Sequence, residues 1–179
     1  LAPEALPQIL KAIEAWPDAK MFSGAQKIFD YDGQLEHVSE AWDYNLEKLL
    51  GTRTAINQAS TIVHRSVYAQ VGCLDETYRT AMDYEWVVRA RHQYDCRVLP
   101  FVLSHYHRRP GSITDKGIAD QHREFLRVRR KYGKSRFARA EFCFRFYLAT
   151  EPLRKIPRLR RGIRAIKALL GHKPLHPMS

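Results

Sequence analysis

The segment that most constrains the fold runs from Gly72 to Arg89 and reads GCLDETYRTAMDYEWVVR. It opens with a glycine and two acids. A short polar stretch then leads to Asp83 and Glu85, and apolar residues follow at helical spacing. The pattern predicts a tight turn, a loop and an amphipathic helix that begins near Asp83. We therefore expect a carboxylate at a helix start, at the edge of a cleft built from loops.

Helical and strand patterns alternate on both sides of this segment. Helices are predicted at 6–16, 41–50, 66–71, 83–93 and 114–132, and strands at 20–24, 26–31, 34–38, 60–64 and 96–107. Asp32-Gly33 is a strong signal for a hairpin turn. The order of elements favours an α/β or α+β fold, and we predict α/β, with a mixed sheet flanked by helices. The sequence contains no Gly-rich phosphate-binding loop.

The length of the chain and its composition fit one globular domain. The chain has 179 residues, of which 45% are hydrophobic, enough for a real core. No run approaches the ~20 apolar residues of a membrane span. Three scattered cysteines predict no disulfide framework, and we expect a cytoplasmic protein. The chain begins with Leu1 rather than Met, and we expect an N-terminal part to be missing.

The basic residues are concentrated in a C-terminal tail. The formal net charge is +11, and residues 152–179 contain no acid but the following bases: Arg154, Lys155, Arg158, Arg160, Arg161, Arg164, Lys167 and Lys173. Apolar residues recur among them at three and four positions, which predicts a basic amphipathic helix over 154–170. We divide the chain into a globular part, 1–135, and a helical basic tail, 136–179. The tail suits an anionic membrane surface on the cytoplasmic face. The alternatives are packing on the body and nucleic-acid binding, although the body contains no recognised nucleic-acid module.

Asp83 and Glu85 have different predicted roles. On a helix, residues two apart point to nearly opposite sides, so the two acids cannot work as a facing pair. Glu85 lies four residues before Arg89, the favourable order for an ion pair on a helix surface. Asp83 lies where helix N–H groups favour the ionised carboxylate, which could accept a proton from a hydroxyl group. A plain N-cap is the alternative for Asp83.

The same segment resembles the acceptor-side part of family 2 glycosyltransferases of the GT-A type. Their pattern is roughly Gly-Gly-Phe-Asp-Glu, a short gap, then Glu-Asp-x-Asp-Leu-x-x-Arg. Asp83 matches the Asp that serves as catalytic base in that family, and Met82 stands where many members have Glu. Residues 57–61 and 64–72 are similar to the strand and turn before the acidic loop. Weaker likeness extends the resemblance over roughly residues 1–132.

The resemblance implies an inverting transferase whose donor is a nucleotide-sugar and whose acceptor is a glycan or a lipid-linked sugar. The chain would be the C-terminal half of a GT-A fold, inactive alone. A divalent metal, Mg or Mn, would be held mainly by an Asp-x-Asp upstream of Leu1. The residues expected to contact acceptor or donor are Gln58, Ser60, Asp75, Glu76, His107, Arg109 and Ser112.

The segment 105–114, HYHRRPGSIT, lies at the end of a predicted strand. The family often shows Tyr-Arg-x-His-Pro-Gly-Ser here, so His107 and Arg109 stand with the two residue types exchanged. A basic loop could close over a diphosphate. His105 and His107 would share one face of a strand, a spacing that also permits metal ligation by His107. A solvated basic loop is the third alternative.

A function of another class is also compatible with the sequence. The chain could be a non-catalytic module that binds membranes or polyanions through its basic residues, with an acidic loop that is purely structural. A glycosidase is less compatible, because the acids offer no evident facing pair.

Overall fold

The protein contains a mixed sheet flanked by helices. The computed structural model describes residues 1–51, 56–112, 118–133, 145–146 and 148–150. Within these ranges the strands are β1 (Met21–Phe29), β2 (Leu35–Ser39), β3 (Thr61–Val63) and β4 (Cys96–His107). β4 runs parallel to β1 over its whole length, and β2 and β3 pair antiparallel with the two ends of the other edge of β1. The predicted α/β class is confirmed.

Helices lie on both faces of this sheet. They are α1 (Ala5–Ala15), α2 (Leu46–Gly51), α3 (Arg65–Val71), α4 (Met82–Arg91) and α5 (Ile118–Tyr132), and a 3₁₀ turn spans Gln58–Ser60. The neighbours Met21 and Phe22 of β1 belong to different cores, because successive side chains of a strand point to opposite faces. Phe22 packs with α1, whereas Met21 shares the larger core with α2, α3, α4 and α5.

Helix α1 forms where predicted and buries a face made mainly of small residues. Ala5, Ile9 and Ala12 pack against Phe22 and strand β4. The larger apolar residues of the helix stay exposed: Leu6, Leu10 and Ile13. Small residues allow a helix axis to lie close to a sheet. Packing against the sheet therefore decides which residues of α1 are buried, and the most hydrophobic ones are not all among them.

A single strand replaces the two predicted at 20–24 and 26–31. A Cβ at Gly24 would lie 2.3 Å from Leu103 Cγ, so glycine lets β4 approach closely at this point. The pairing slips here: Ser23 faces Val98 but Ala25 faces Val102. Pro100 lies inside this irregularity, and proline, which has no N–H to donate, is tolerated at such a bulge, so β4 continues through it.

The helix predicted at 41–50 begins only at Leu46. Tyr44 has a positive φ of 49° and is fully buried, and its ring packs edge-to-face on Trp42 at 4.9 Å. The Asn45 side chain then accepts the Lys48 N–H at 3.1 Å. Burial of two aromatic rings holds residues 42–44 outside helical geometry, which apolar periodicity alone did not reveal.

The other predicted elements are close to the observed ones. The hairpin at Asp32-Gly33 is confirmed, with Gly33 at φ +79°. The helix predicted at 66–71 begins one residue earlier, at Arg65, and its cap is His64, whose Nδ1 accepts the Ser66 N–H at 3.3 Å. The predicted start of the helix at 114–132 and the predicted tail helix lie outside the described residues.

Candidate functional site

Asp83 lies in the first turn of α4 and is half-buried. Its Oδ1 accepts the Tyr84 N–H at 2.7 Å. It is not the N-cap, since Ala81 occupies that position and provides no side-chain cap. Burial raises the pKa of Asp83, and the backbone N–H bonds oppose this only in part. The backbone N–H groups favour the ionised form, as expected at a helix start, but desolvation outweighs them, so the carboxylate is a stronger base than usual.

Glu85 is fully buried and belongs to an ion cluster between α4 and α5. Its carboxylate accepts bonds from Arg89 at 2.9 Å, from the Tyr132 hydroxyl at 2.6 Å and from Lys131 at 3.2 Å. Burial alone would raise the pKa of Glu85, but these three partners outweigh it and lower the pKa. The predicted pairing with Arg89 is confirmed, whereas the predicted surface position of Glu85 is wrong, because Lys131 and Tyr132 of α5 cover it.

Arg89 also holds the turn that precedes the acidic loop. Its guanidinium donates to the Val71 carbonyl and, at 2.8 Å, to the Cys73 carbonyl. Trp86 Nε1 donates to the Gly72 carbonyl at 2.8 Å. Gly72 adopts φ +87°, a conformation that glycine tolerates best. Helix α4 therefore fixes the start of the loop that leads back to its own first residue.

Helix α5 holds the remainder of this loop with three charged side chains. Glu124 accepts four hydrogen bonds from residues 79–81, at 2.6 to 2.8 Å. Arg127 donates to the carbonyl and hydroxyl oxygens of Thr77 and stacks on Tyr78 at 4.3 Å. Lys131 Nζ lies 3.9 Å from Asp75 Oδ2. The acidic loop is thus fixed from two sides, which makes it a rigid support for Asp83.

Sequence reasoning missed this contribution of α5. A signal was present, because Glu124, Arg127 and Lys131 recur at i, i+3 and i+7 and so share one helix face. Charged residues at this spacing usually form a solvated face. Only the tertiary structure shows that this face meets the acidic loop.

The acids expected to bind ligand occupy the outer part of the loop. Asp75 is half-buried and accepts the Thr77 N–H at 3.0 Å. Hydrogen bonds from the Thr77 side chain and backbone lower the pKa of Asp75. Glu76 is exposed. Both acids therefore lie in the loop that precedes α4 and Asp83. Asp75 stabilises the loop through its bond to Thr77, and Glu76 faces solvent.

Gln58 and Ser60 lie in the 3₁₀ turn before β3 but differ in accessibility. Gln58 is exposed, whereas Ser60 is fully buried. The Ser60 hydroxyl bonds to Ser104 Oγ at 2.6 Å and to the Ala25 carbonyl at 3.0 Å. Its contacts therefore join the turn to β1 and β4.

The predicted basic segment spans the end of β4 and the residues that follow it. His105 and His107 flank the Phe29 ring, and His107 stacks on it at 4.6 Å. They share one side of the strand, as predicted. Arg109 is exposed, Ser112 is half-buried and its N–H bonds to the Arg109 carbonyl at 3.2 Å. In the part of the chain that the structure describes, no group of three or more His, Cys, Asp or Glu residues is placed to hold a metal ion.

An open groove of about 390 Å³ lies away from these residues, at the first residues of β1 and β4. Trp16, Lys20, Tyr94 and Arg97 are among its lining residues, and the Arg97 guanidinium lies 5.5 Å from the Trp16 ring centre. None of the predicted site residues lines it.

No protein-family model matches this sequence, and no curated protein is significantly similar to it. Among the helices that the structure describes, none is long and apolar enough to cross a bilayer.

Proposed function

We propose that the chain is the acceptor-side half of an inverting glycosyltransferase with a partial GT-A fold. The observation that carries the proposal is Asp83: a half-buried carboxyl with a raised pKa, in the first turn of a helix, beside a loop fixed by two helices. Such tuning is common for a general base, because a raised pKa strengthens proton affinity near neutral pH. Support also comes from the likeness of residues 72–89 to family 2.

In the proposed reaction, Asp83 takes the proton from the acceptor hydroxyl as that oxygen attacks the anomeric carbon of the donor sugar. The bond between this carbon and the nucleoside diphosphate breaks on the opposite face, so the anomeric configuration inverts. The proton ends on Asp83 and the electron pair leaves with the diphosphate. The carboxylate must be ionised before it can accept this proton.

The basic segment is the proposed contact for the departing diphosphate. Arg109 and His107 are exposed at the end of β4, where their N–H groups are available to anionic oxygens. Arg108 differs, because its Nε pairs with Glu36 Oε2 at 3.1 Å. By the resemblance, the donor would also bring a divalent cation. Among the described residues, no group of three or more His, Cys, Asp or Glu side chains is placed to hold it.

The direct test uses the full-length protein with Mg²⁺ or Mn²⁺, a panel of nucleotide-sugars and oligosaccharide acceptors, and measures released nucleoside diphosphate. Asp83→Asn keeps the shape and removes the proton acceptor, so transfer should fall by about 10² or more while donor binding persists. Asp95→Asn is the matched control, since Asp95 is an exposed acid beyond the other end of α4. Transfer by Asp83→Asn at the wild-type rate would remove Asp83 from the mechanism.

A basic membrane- or polyanion-binding module remains the second candidate. The observation that favours it is the tail sequence, which combines eight bases with an apolar stripe and no acid over 152–179. Absence of transfer from every donor, together with tight binding to anionic vesicles, would favour this candidate. Both functions are compatible in one protein, as a peripheral enzyme on the cytoplasmic face of a membrane.

A further inference from the structure

We infer that Glu124 of α5 is a positioning residue that sets the location of Asp83, an inference that rests on the proposed function of Asp83. The two residues are 41 positions apart, and no local sequence pattern links them. The link is a carboxylate that binds the backbone immediately before α4.

The contacts of Glu124 are unusually complete. One oxygen accepts the Arg79 N–H at 2.8 Å. The other accepts the Thr80 N–H at 2.7 Å, the Thr80 hydroxyl at 2.6 Å and the Ala81 N–H at 2.8 Å. Burial would raise the pKa of Glu124, but these bonds outweigh it and lower the pKa, so the group is ionised at neutral pH.

Glu124 fixes the backbone that leads into α4. The first N–H groups of a helix have no partner within it. Glu124 accepts the N–H of Ala81, the N-cap residue, and those of the two residues before it. The Tyr84 N–H in the first turn is accepted by Asp83 itself at 2.7 Å. Glu124 therefore holds the start of the helix from outside, next to the turn that carries Asp83.

The consequence for Asp83 follows from the short distance along the chain. Ala81 is the last residue that Glu124 holds, and Asp83 follows two residues later. Loss of the carboxylate would let residues 79–81 separate from α5 and the first turn of α4 fray. Asp83 would then gain solvent and lose its fixed direction. A displacement of about 1 Å at a reacting group can reduce a rate by up to ~10².

The test compares Glu124→Ala, Glu124→Gln and the control Asp120→Asn in the full-length protein. Asp120 is an exposed acid on the same helix, paired with Arg123 at 2.6 Å. Amide exchange at Thr80 and Ala81 and the carbon NMR titration of the Asp83 carboxyl are followed. In Glu124→Ala we expect exchange about tenfold faster and an Asp83 pKa shifted down towards its ordinary value. Glu124→Gln, which keeps one oxygen, should be intermediate, and Asp120→Asn should match the wild type.

Where transfer is measurable, kcat should fall with donor KM unchanged. Wild-type exchange at Thr80 and Ala81 in Glu124→Ala would overturn the inference. Faster exchange with an unchanged pKa of Asp83 would also overturn the inference, because Glu124 would then only hold residues 79–81 in place. If Glu124→Ala does not fold, Glu124→Gln decides by the same two measurements. Exchange and titration need no turnover, so a wild-type protein without transferase activity would refute the proposed function without deciding the role of Glu124.

Discussion

At the scale of single residues, Asp83 and Glu85 show how environment separates two acids that lie two positions apart. Asp83 loses solvent without gaining a cationic partner in the described contacts, and its pKa rises. Glu85 loses more solvent but gains Arg89, Lys131 and Tyr132, and its pKa falls. The first acid is suited to accept a proton, whereas the second is a fixed ion that joins α4 to α5.

Replacing Asp83 with Asn should stabilise the fold. An acid whose folded pKa is raised binds protons more readily when folded, so its ionised form costs stability at neutral pH. We expect the free energy of unfolding of Asp83→Asn to exceed the wild-type value by about 0.5–1 kcal/mol in urea titrations at pH 7. A loss of stability at pH 7 would contradict this, and Asp95→Asn should change little.

Glu85→Gln should instead be strongly destabilising. The amide cannot satisfy the Arg89, Lys131 and Tyr132 donors, so we expect a loss of about 1–3 kcal/mol. A surface pair, as the sequence suggested, would cost only about 0.2–0.5 kcal/mol. Urea unfolding distinguishes the two, with Asp120→Asn as the exposed-pair control.

The same acid predicts how stability depends on pH. Because the folded pKa of Glu85 lies below its ordinary value of 4.5, the contribution of Glu85 to stability is present above about that pH and is lost as pH falls through the folded pKa. The wild-type unfolding free energy should therefore decline on acidification below pH 4.5. Glu85→Gln should show a shallower decline, and an identical slope in both proteins would contradict the assignment.

At the scale of elements, the close approach of β1 and β4 depends on one glycine. In Gly24→Ala the new Cβ would lie 2.3 Å from Leu103 Cγ, so the strands or the Leu103 side chain must move. We expect a loss of about 1–3 kcal/mol in the free energy of unfolding. Gly51→Ala is the matched control, since no described atom outside its own helix and its chain neighbours lies within 4 Å of the added Cβ. Equal stability of the two variants would show that β4 shifts without cost.

At the scale of the whole molecule, the tail sequence predicts membrane association. Its apolar stripe and dense cations act together at an anionic surface, whereas a packed helix needs only the stripe. The full-length protein should sediment with vesicles that contain anionic lipid, and added salt should weaken the association. Replacing four tail arginines with Gln should release the protein from the vesicles without unfolding the globular part, 1–135. These arginines are Arg158, Arg160, Arg161 and Arg164. Indifference to anionic vesicles at low salt would indicate a packed tail.

Sequence alone determined the elements whose signals are local. Alternating and helical periodicities located β4, α3 and α4 within about two residues, and Asp32-Gly33 located the hairpin. The acidic segment and its pairing of Glu85 with Arg89 were likewise readable, because residues four apart meet on any helix.

Tertiary structure decided whatever depends on partners distant in the chain. The two strands predicted around Gly24 form one strand, β1, because glycine lets β4 approach closely there. Burial of Trp42 and Tyr44 keeps residues 42–44 out of α2. Packing against the sheet also decides that α1 buries Ala5, Ile9 and Ala12. Tertiary structure also buried Glu85 under α5, desolvated Asp83 and supplied Glu124 as the acceptor for the backbone N–H groups of residues 79–81. Desolvation and long-range hydrogen bonds are set by which surfaces meet, and a single helix or strand pattern carries no information about the surface that will cover it.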